Sequence, residues 1–233
     1  MKYAIVSHND SLNGDTDLHI AAQGKSLKIF EFLVSHCAEI NSQNNNGCTV
    51  LIYAICNNNI EMVKCLVSHN ADVNVKDKHG NFPLILAIGL RNIRIIEILI
   101  SKGADINARN NLGRMALINA VDNSQMEIVQ FFISHNAYVN AMNEKGNSPL
   151  MYAVRNRSED IAKYLIIHGA NVRLRSVDGN SPLRIAVEND LEKTTKLLLM
   201  QGASIYAKDN KSEQYWNSQR IKDYLDILTL KGL

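Results

Sequence analysis

Residues 77–109 read DKHGNFPLILAIGLRNIRIIEILISKGADINAR, and this stretch decides the fold. Asp77 and Gly80 predict a tight turn, because Asp bonds to nearby backbone groups and Gly accepts a positive φ. Pro83 then suits the first position of a helix, where a missing N–H costs nothing. Apolar residues recur at three- and four-residue spacing in the two segments that follow, which predicts two short helices. Gly103 predicts the end of the second helix.

The same unit recurs along the chain every 33 residues. Its turn glycine returns without slippage as Gly14, Gly47, Gly80, Gly113, Gly146 and Gly179. The chain has three prolines, and each follows a repeat glycine by three residues: Pro83, Pro149 and Pro182. A fixed period of this length is the signature of a repeat architecture. The pattern predicts six repeats, at 11–43, 44–76, 77–109, 110–142, 143–175 and 176–208.

Two stretches resemble the signatures of the ankyrin family. Residues 16–22, TDLHIAA, are similar to the ankyrin motif TPLHxAA with Asp17 in place of Pro, and residues 103–107, GADIN, are similar to its hairpin motif. The resemblance runs from about Ser11 to Asp209. It implies an all-α ankyrin-repeat solenoid, built from helix–turn–helix units with short β-hairpin-like loops.

The histidine of the ankyrin signature is present only as His19. In the later repeats its position holds Ile52, Ile85, Ile118, Met151 and Arg184. We expect these replacements to exchange a polar bridge between neighbouring repeats for apolar packing, and to leave the fold intact.

The two ends of the chain depart from the repeat. Residues 1–10 are too short for a preceding pair of helices, so either the first repeat begins with only a short cap or the chain is the C-terminal part of a longer array, and the second alternative is favoured. Residues 209–233 begin with the repeat turn and continue with apolar residues on one helical face, so we expect a capping repeat there. Trp216 is expected to cover the last apolar seam.

Composition and charge exclude several classes of protein. The 233 residues are 46% hydrophobic and 21% charged, which argues against disorder. The 25 Lys and Arg against 23 Asp and Glu give a net charge of +2, too small for a protein built mainly to coat nucleic acid or anionic lipid. No apolar run approaches ~18 residues, so no membrane span is expected. The four cysteines contain no CxxC pair, and we expect a reducing, cytoplasmic location.

The repeat pattern accounts for the residues that otherwise suggest chemistry. Four histidines share one position after the second helices: His36, His69, His135 and His168. Neighbouring helices pack about 8–10 Å apart, whereas the ligands of one zinc ion lie about 2 Å from it. Cys48 and Cys56 could approach each other, but no acidic or histidine partner shares their position in the repeat. We expect no enzyme activity, no metal and no cofactor.

Arginine is the residue type whose distribution the repeat does not explain, because nine of the ten arginines lie within residues 91–184. In ankyrin proteins the partner usually contacts hairpin tips and inner helices, and the resemblance carries that surface over to this chain. Arginine binds carboxylates and phosphates with two parallel hydrogen bonds, so an acidic protein partner is the hypothesis. Aromatic residues are absent from the groove positions of this cluster, which argues against single-stranded nucleic acid. The candidate contact residues are His79, Leu112, Arg114, Lys145, Asn147, Arg155, Asn156, Arg157, Arg173 and Arg175.

The resemblance implies a non-catalytic scaffold that binds a protein partner through the concave groove of repeats three to six. Two alternatives remain open: a targeting arm of a larger multidomain protein or effector, and a binder of nucleic acid or anionic lipid through the arginine cluster. The chain is expected to be a monomer or to self-associate weakly through its first repeat. Four hairpin asparagines match positions that asparaginyl hydroxylases modify in some ankyrin proteins, and we interpret them as turn-bonding residues: Asn41, Asn74, Asn107 and Asn140.

Overall fold

The computed structural model describes residues 13–24, 26–36 and 39–204, and these residues form twelve α-helices in six pairs. The helices are α1 (Asp17–Gln23), α2 (Leu27–Ser35), α3 (Val50–Cys56), α4 (Ile60–Ser68), α5 (Pro83–Gly89), α6 (Ile93–Ser101), α7 (Ala116–Asp122), α8 (Met126–Ser134), α9 (Pro149–Arg155), α10 (Glu159–Ile167), α11 (Pro182–Glu188) and α12 (Glu192–Met200). Within these residues there is no strand, only an antiparallel bridge between Arg109 and Met115. The expected all-α fold of paired helices is confirmed.

Three of the predictions fall outside the part of the chain that the structure describes. They are the short N-terminal segment 1–10, the capping repeat 209–233 and the role of Trp216 within it.

The chain divides into two compact units, one ending at Asn119 and the other beginning at Ala120. In the first unit α3 contacts both α1 and α5, and α4 contacts both α2 and α6. In the second unit α9 contacts α11, and α10 contacts both α8 and α12. Each unit therefore has two layers, one made of the first helix of each pair and the other made of the second.

Local chemistry explains where the helices begin. The side chains of Asn92 and Ser148 accept hydrogen bonds from backbone N–H groups in the first turns of α6 and α9, at 3.2 and 3.3 Å. Such N-caps satisfy donors that have no partner within the helix. The three prolines open their helices, as predicted: Pro83, Pro149 and Pro182.

The apolar stripes predicted for the stretch that decides the fold lie in the core. Leu84, Ala87 and Ile88 of α5 and Ile96 and Leu99 of α6 are fully buried. The small side chain of Ala87 lets α5 approach its neighbours closely. Apart from the ends, the apolar side chains of α5 and α6 are all buried or half-buried. Packing therefore stabilises these two helices more than helix propensity does.

The hairpin asparagines form a ladder within each unit. In the first unit Asn74 Nδ2 donates to Gly103 O at 3.0 Å, and Asn74 Oδ1 accepts from Asp105 N at 2.9 Å. In the second unit Asn140 makes the same two bonds, to Gly169 O at 3.0 Å and from Asn171 N at 2.7 Å. Each amide thus satisfies one donor and one acceptor of the next hairpin, which supports their interpretation as turn-bonding residues.

His19 bridges the first two repeats. Its ring is fully buried, and its Nε2 lies 3.0 Å from Cys48 O while Nδ1 lies 2.8 Å from Thr16 Oγ1 and 3.2 Å from Thr16 N. Because a carbonyl oxygen only accepts, Nε2 carries the proton and Nδ1 accepts from Thr16. Burial lowers the pKa of His19, since it disfavours the charged ring.

Most of the replacements of this histidine pack as expected, since Ile52, Ile118 and Met151 are buried. Arg184 departs from the expectation of apolar packing. Its Nε lies 3.0 Å from Glu188 Oε1 on the next turn of α11, in an ion pair four residues apart.

The exchange of His for Ile52 leaves a hydroxyl without its partner. Thr49 occupies the place of Thr16 in the second repeat, and its buried Oγ1 has no hydrogen-bond partner among the described residues. We therefore expect Thr49→Val to raise the free energy of unfolding by about 1 kcal/mol, because the isosteric methyl group has no desolvation penalty. Thr16→Val is the matched control and is expected to lower it by about 1 kcal/mol. Urea unfolding of both variants checks the opposite signs, and a loss in both would contradict the argument.

Candidate partner-binding surface

Two turns of the second unit lie side by side. Asn143 Oδ1 accepts from Lys145 N at 3.0 Å, which holds the first turn, and Lys145 O accepts from Val177 N of the next turn at 2.9 Å. The side chain of Lys145 is exposed, and Val177 is 79% exposed. A cation and an apolar side chain therefore project from adjacent turns.

Arg155 reaches back from the last position of α9 towards these turns. Its Nη2 donates to Asn147 Oδ1 at 3.3 Å, and its Cζ lies 5.5 Å from the centroid of the Tyr152 ring. Asn147 precedes the N-cap of α9 and is only 8% exposed. Of the predicted contact residues, Asn147 is the most deeply buried, and the structure gives it the role of positioning Arg155.

Arg173 and Arg175 are each tied to a backbone carbonyl. Arg173 occupies the position that the hairpin asparagines hold in the earlier repeats. Its Nε donates to Gly202 O at 2.9 Å, just as Asn140 donates to Gly169 O one repeat earlier. Arg175 Nη1 lies 3.5 Å from Gly179 O, which matches the bond of Arg109 Nη1 to Gly113 O at 3.2 Å in the first unit. Both guanidinium groups are thus held in place by the scaffold.

Asn156 and Arg157 follow Arg155 directly, in the loop that leads from α9 to α10. Asn156 Nδ2 donates to Asp122 O at 2.9 Å, and Arg157 is exposed with a φ of 56°. A seven-residue helix is about 10 Å long. The guanidinium of Arg155 reaches back to Asn147 before α9, so the predicted cluster splits into a turn-side set, Lys145, Arg155, Arg173 and Arg175, and a loop-side set, Asn156 and Arg157.

The cations of the predicted cluster differ from Arg184 in whether a carboxylate of the chain neutralises them. Arg184 is paired with Glu188, as described above. Within residues 39–204, by contrast, Lys145, Arg155, Arg157 and Arg173 form no ion pair. The second unit therefore carries cations that its own described carboxylates do not neutralise.

The remaining predicted contact residues lie on turns of the first unit. His79 and Leu112 are exposed, Leu112 to 63%, and Arg114 is half-buried. The backbone N–H groups of Leu112 and Arg114 both donate to Asn110 Oδ1, at 3.0 and 2.9 Å, which fixes that turn. Their role in binding stays a prediction.

The three cysteines that the structure describes show no sign of activation. Burial raises the pKa of Cys48, Cys56 and Cys65, and nearby carboxylates raise it further, so the reactive thiolate is disfavoured. The imidazole of His19 donates to the Cys48 carbonyl oxygen rather than to the thiol.

A buried polar network lies beside them. Asp15 Oδ1 accepts from Asn44 Nδ2 at 2.7 Å and from Tyr53 Oη at 3.0 Å. Burial and the Asp15 carboxylate raise the pKa of Tyr53 to about 12, so this phenol stays protonated and acts as a donor.

The described residues offer neither a metal site nor a membrane span. They contain no group of three or more His, Cys, Asp and Glu side chains arranged to hold a metal ion. None of their helices has the length and hydropathy needed to cross a bilayer.

Val177 is the residue that reasoning from the sequence missed. The same turn position holds Leu12 in the first repeat and then four polar residues, Asn45, Lys78, Asn111 and Glu144, so Val177 departs from the repeats directly before it. That departure was available as a signal in the repeat alignment alone.

Comparison with known proteins agrees with this architecture. The family model described as ankyrin repeats (3 copies) matches residues 18–110 and 117–209. The chain belongs to the ankyrin-repeat family. Among solved structures, an ankyrin repeat domain from Acinetobacter baumannii AYE is similar, with a TM-score of 0.76 and 30% identity over 80% of this chain and 98% of that one. No curated protein matches the sequence. Ankyrin repeats are generally protein–protein interaction modules, and the family is typically non-catalytic.

Proposed function

We propose that the chain is a non-catalytic scaffold that binds an acidic protein partner through the turn-side set of its second unit. The observation that carries this proposal is the state of Arg155 and Arg173. Each spends one donor on a scaffold oxygen, and neither has a carboxylate partner among residues 39–204. A guanidinium has five N–H donors, so each group keeps others for a partner's carboxylate.

Anchoring also lowers the cost of binding. A guanidinium held by one hydrogen bond has already lost part of the rotamer freedom that binding would otherwise remove. Lys145 adds a third cation on the adjacent turn. Glu144 and Asp178 are the exposed carboxylates of the same turns, so the turn-side set, which includes Arg175, keeps a positive balance.

Affinity capture with charge-reversed full-length chains tests this function. The bait variant is Lys145→Glu/Arg155→Glu, and the matched control is Lys163→Glu/Lys193→Glu, which reverses two exposed charges on the second helices α10 and α12 of the same unit. We expect a protein that the wild type captures from nuclease-treated native extract to be retained by the control. Its amount on the turn-side variant should fall at least about tenfold.

Circular dichroism of all three chains establishes that they are folded. Equal capture by the two variants would contradict the proposal. Capture that disappears on nuclease treatment would replace it with nucleic-acid binding, whose affinity falls steeply with salt.

A further inference from the structure

The turn that carries Val177 presents an exposed apolar side chain, which a purely electrostatic surface does not need. Val177 is 79% exposed, and its counterparts in the four repeats before it are polar, whereas the first repeat has Leu12. An exposed β-branched residue at a turn tip gains nothing for folding, because burial is what makes an apolar side chain stabilising. Contact with a binding partner would bury this side chain and make it stabilising.

Two cations lie near this valine, and so do the exposed carboxylates of the same turns, Glu144 and Asp178. Val177 N donates to Lys145 O at 2.9 Å, so Lys145 lies on the neighbouring turn, directly beside it. Arg175 precedes the valine by two residues, and its Nη1 lies 3.5 Å from Gly179 O in the valine's own turn. Gly179 N closes that turn onto Ser176 O at 2.9 Å, which fixes the backbone of the turn that carries the valine.

We propose that this turn binds a short linear segment of an acidic protein, with one large apolar side chain seated on Val177 and carboxylates on either side of it. The inference rests on the proposed function, and it adds the apolar anchor and the linear form of the ligand. An extended segment of five residues spans about 17 Å, enough to cover two turns joined by a backbone hydrogen bond. Exposed ion pairs contribute little affinity, so the apolar contact is expected to provide most of the affinity for the segment.

Fluorescence anisotropy of the full-length chain with labelled synthetic peptides tests the inference. Three probes share a Gly-Ser frame and differ at the centre: Glu-Glu-Leu-Glu-Glu, Glu-Glu-Ser-Glu-Glu and Lys-Lys-Leu-Lys-Lys. We expect the first to bind at least about tenfold more tightly than the other two. Val177→Ser should remove that advantage of leucine over serine.

Ile167→Ser is the matched control. Ile167 is 68% exposed at the end of α10, and it lies on a second helix of the same unit. This variant should bind all three peptides as the wild type does. Both substitutions are at exposed positions, so neither is expected to disturb folding.

The outcomes separate this inference from the function on which it rests. Equal affinity for the leucine and serine peptides, or an unchanged leucine preference in Val177→Ser, overturns the apolar anchor and leaves acidic binding intact. Equal affinity for the acidic and basic peptides contradicts the proposed function itself. Binding of none of the peptides at millimolar concentration overturns recognition of a short linear segment, while the capture experiment still judges the partner's acidity.

Discussion

His19→Ala is expected to lower the free energy of unfolding by about 3 kcal/mol at pH 7. The substitution removes a fully buried ring together with its hydrogen bonds to Thr16 and to Cys48 O. The carbonyl of Cys48 and the hydroxyl of Thr16 then lose their partner inside the protein, and each such loss costs about 1–3 kcal/mol unless water enters. Urea unfolding of the full chain measures the difference.

The same histidine makes stability depend on pH. Burial holds its pKa in the folded chain below the ordinary value of 6.5, so the unfolded chain binds a proton first as the pH falls. Above about pH 6.5 both states are neutral and stability is unaffected. Below it the folded state loses up to about 1.4 kcal/mol per pH unit, until its own pKa is reached.

A comparison of pH 7 with pH 5.5 isolates this effect. We expect the wild type to lose stability over that interval, by at most about 1 kcal/mol, and His19→Gln to lose less. His69→Gln, at an exposed position on the end of α4, should behave as the wild type does. If His19→Gln and the wild type lose the same amount, the buried ring is not the source of the dependence.

Gly47→Ala is expected to lower the free energy of unfolding by about 3 kcal/mol or more. Gly47 has a φ of 73°, which costs a residue with a side chain about 1–2 kcal/mol. In addition, a Cβ at this position would lie 2.8 Å from Lys78 N and 3.1 Å from Asp77 C. Both are backbone atoms of the next repeat, and Lys78 N already donates to Asn46 O at 3.0 Å, so the neighbouring turn would have to move.

Gly103→Ala separates the two costs. Gly103 has a φ of 85°, but a Cβ there would meet no atom within 4 Å. We expect this variant to lose only the conformational part, about 1 kcal/mol. Similar losses in the two variants would show that the turns of neighbouring repeats can separate without cost. Thermal and urea unfolding of the full chain provide both values.

The helices and turns could be predicted from the sequence because their causes are local. Pro83 at the start of α5, the positive φ of the turn glycines and the apolar stripes of α5 and α6 all depend on residues within a few positions of each other. Because the unit recurs every 33 residues, the helices and turns predicted for one repeat could be predicted for the others as well.

The candidate surface was harder to predict, because its geometry depends on atoms in the next repeat. The bonds of Arg173 to Gly202 O and of Arg155 to Asn147 depend on which oxygen lies within reach, and composition contains no such information. For the same reason Arg157, in the loop after α9, was grouped with Lys145, which lies on the turn before that helix. The pairing of Arg184 with Glu188 was accessible, since four-residue spacing of opposite charges on a helix predicts it.

The ladder of hairpin asparagines limits how the gene for such a chain can change length. The partners of Asn74 lie 29 and 31 residues further on, at Gly103 and Asp105, and those of Asn140 lie at the same distances. Lys76 Nζ also reaches Arg109 O, 33 residues away. Duplication or loss of a whole repeat preserves every one of these offsets, whereas a single-codon insertion in a hairpin shifts several of them together. Descendants of this chain are therefore expected to grow and shrink in steps of 33 codons.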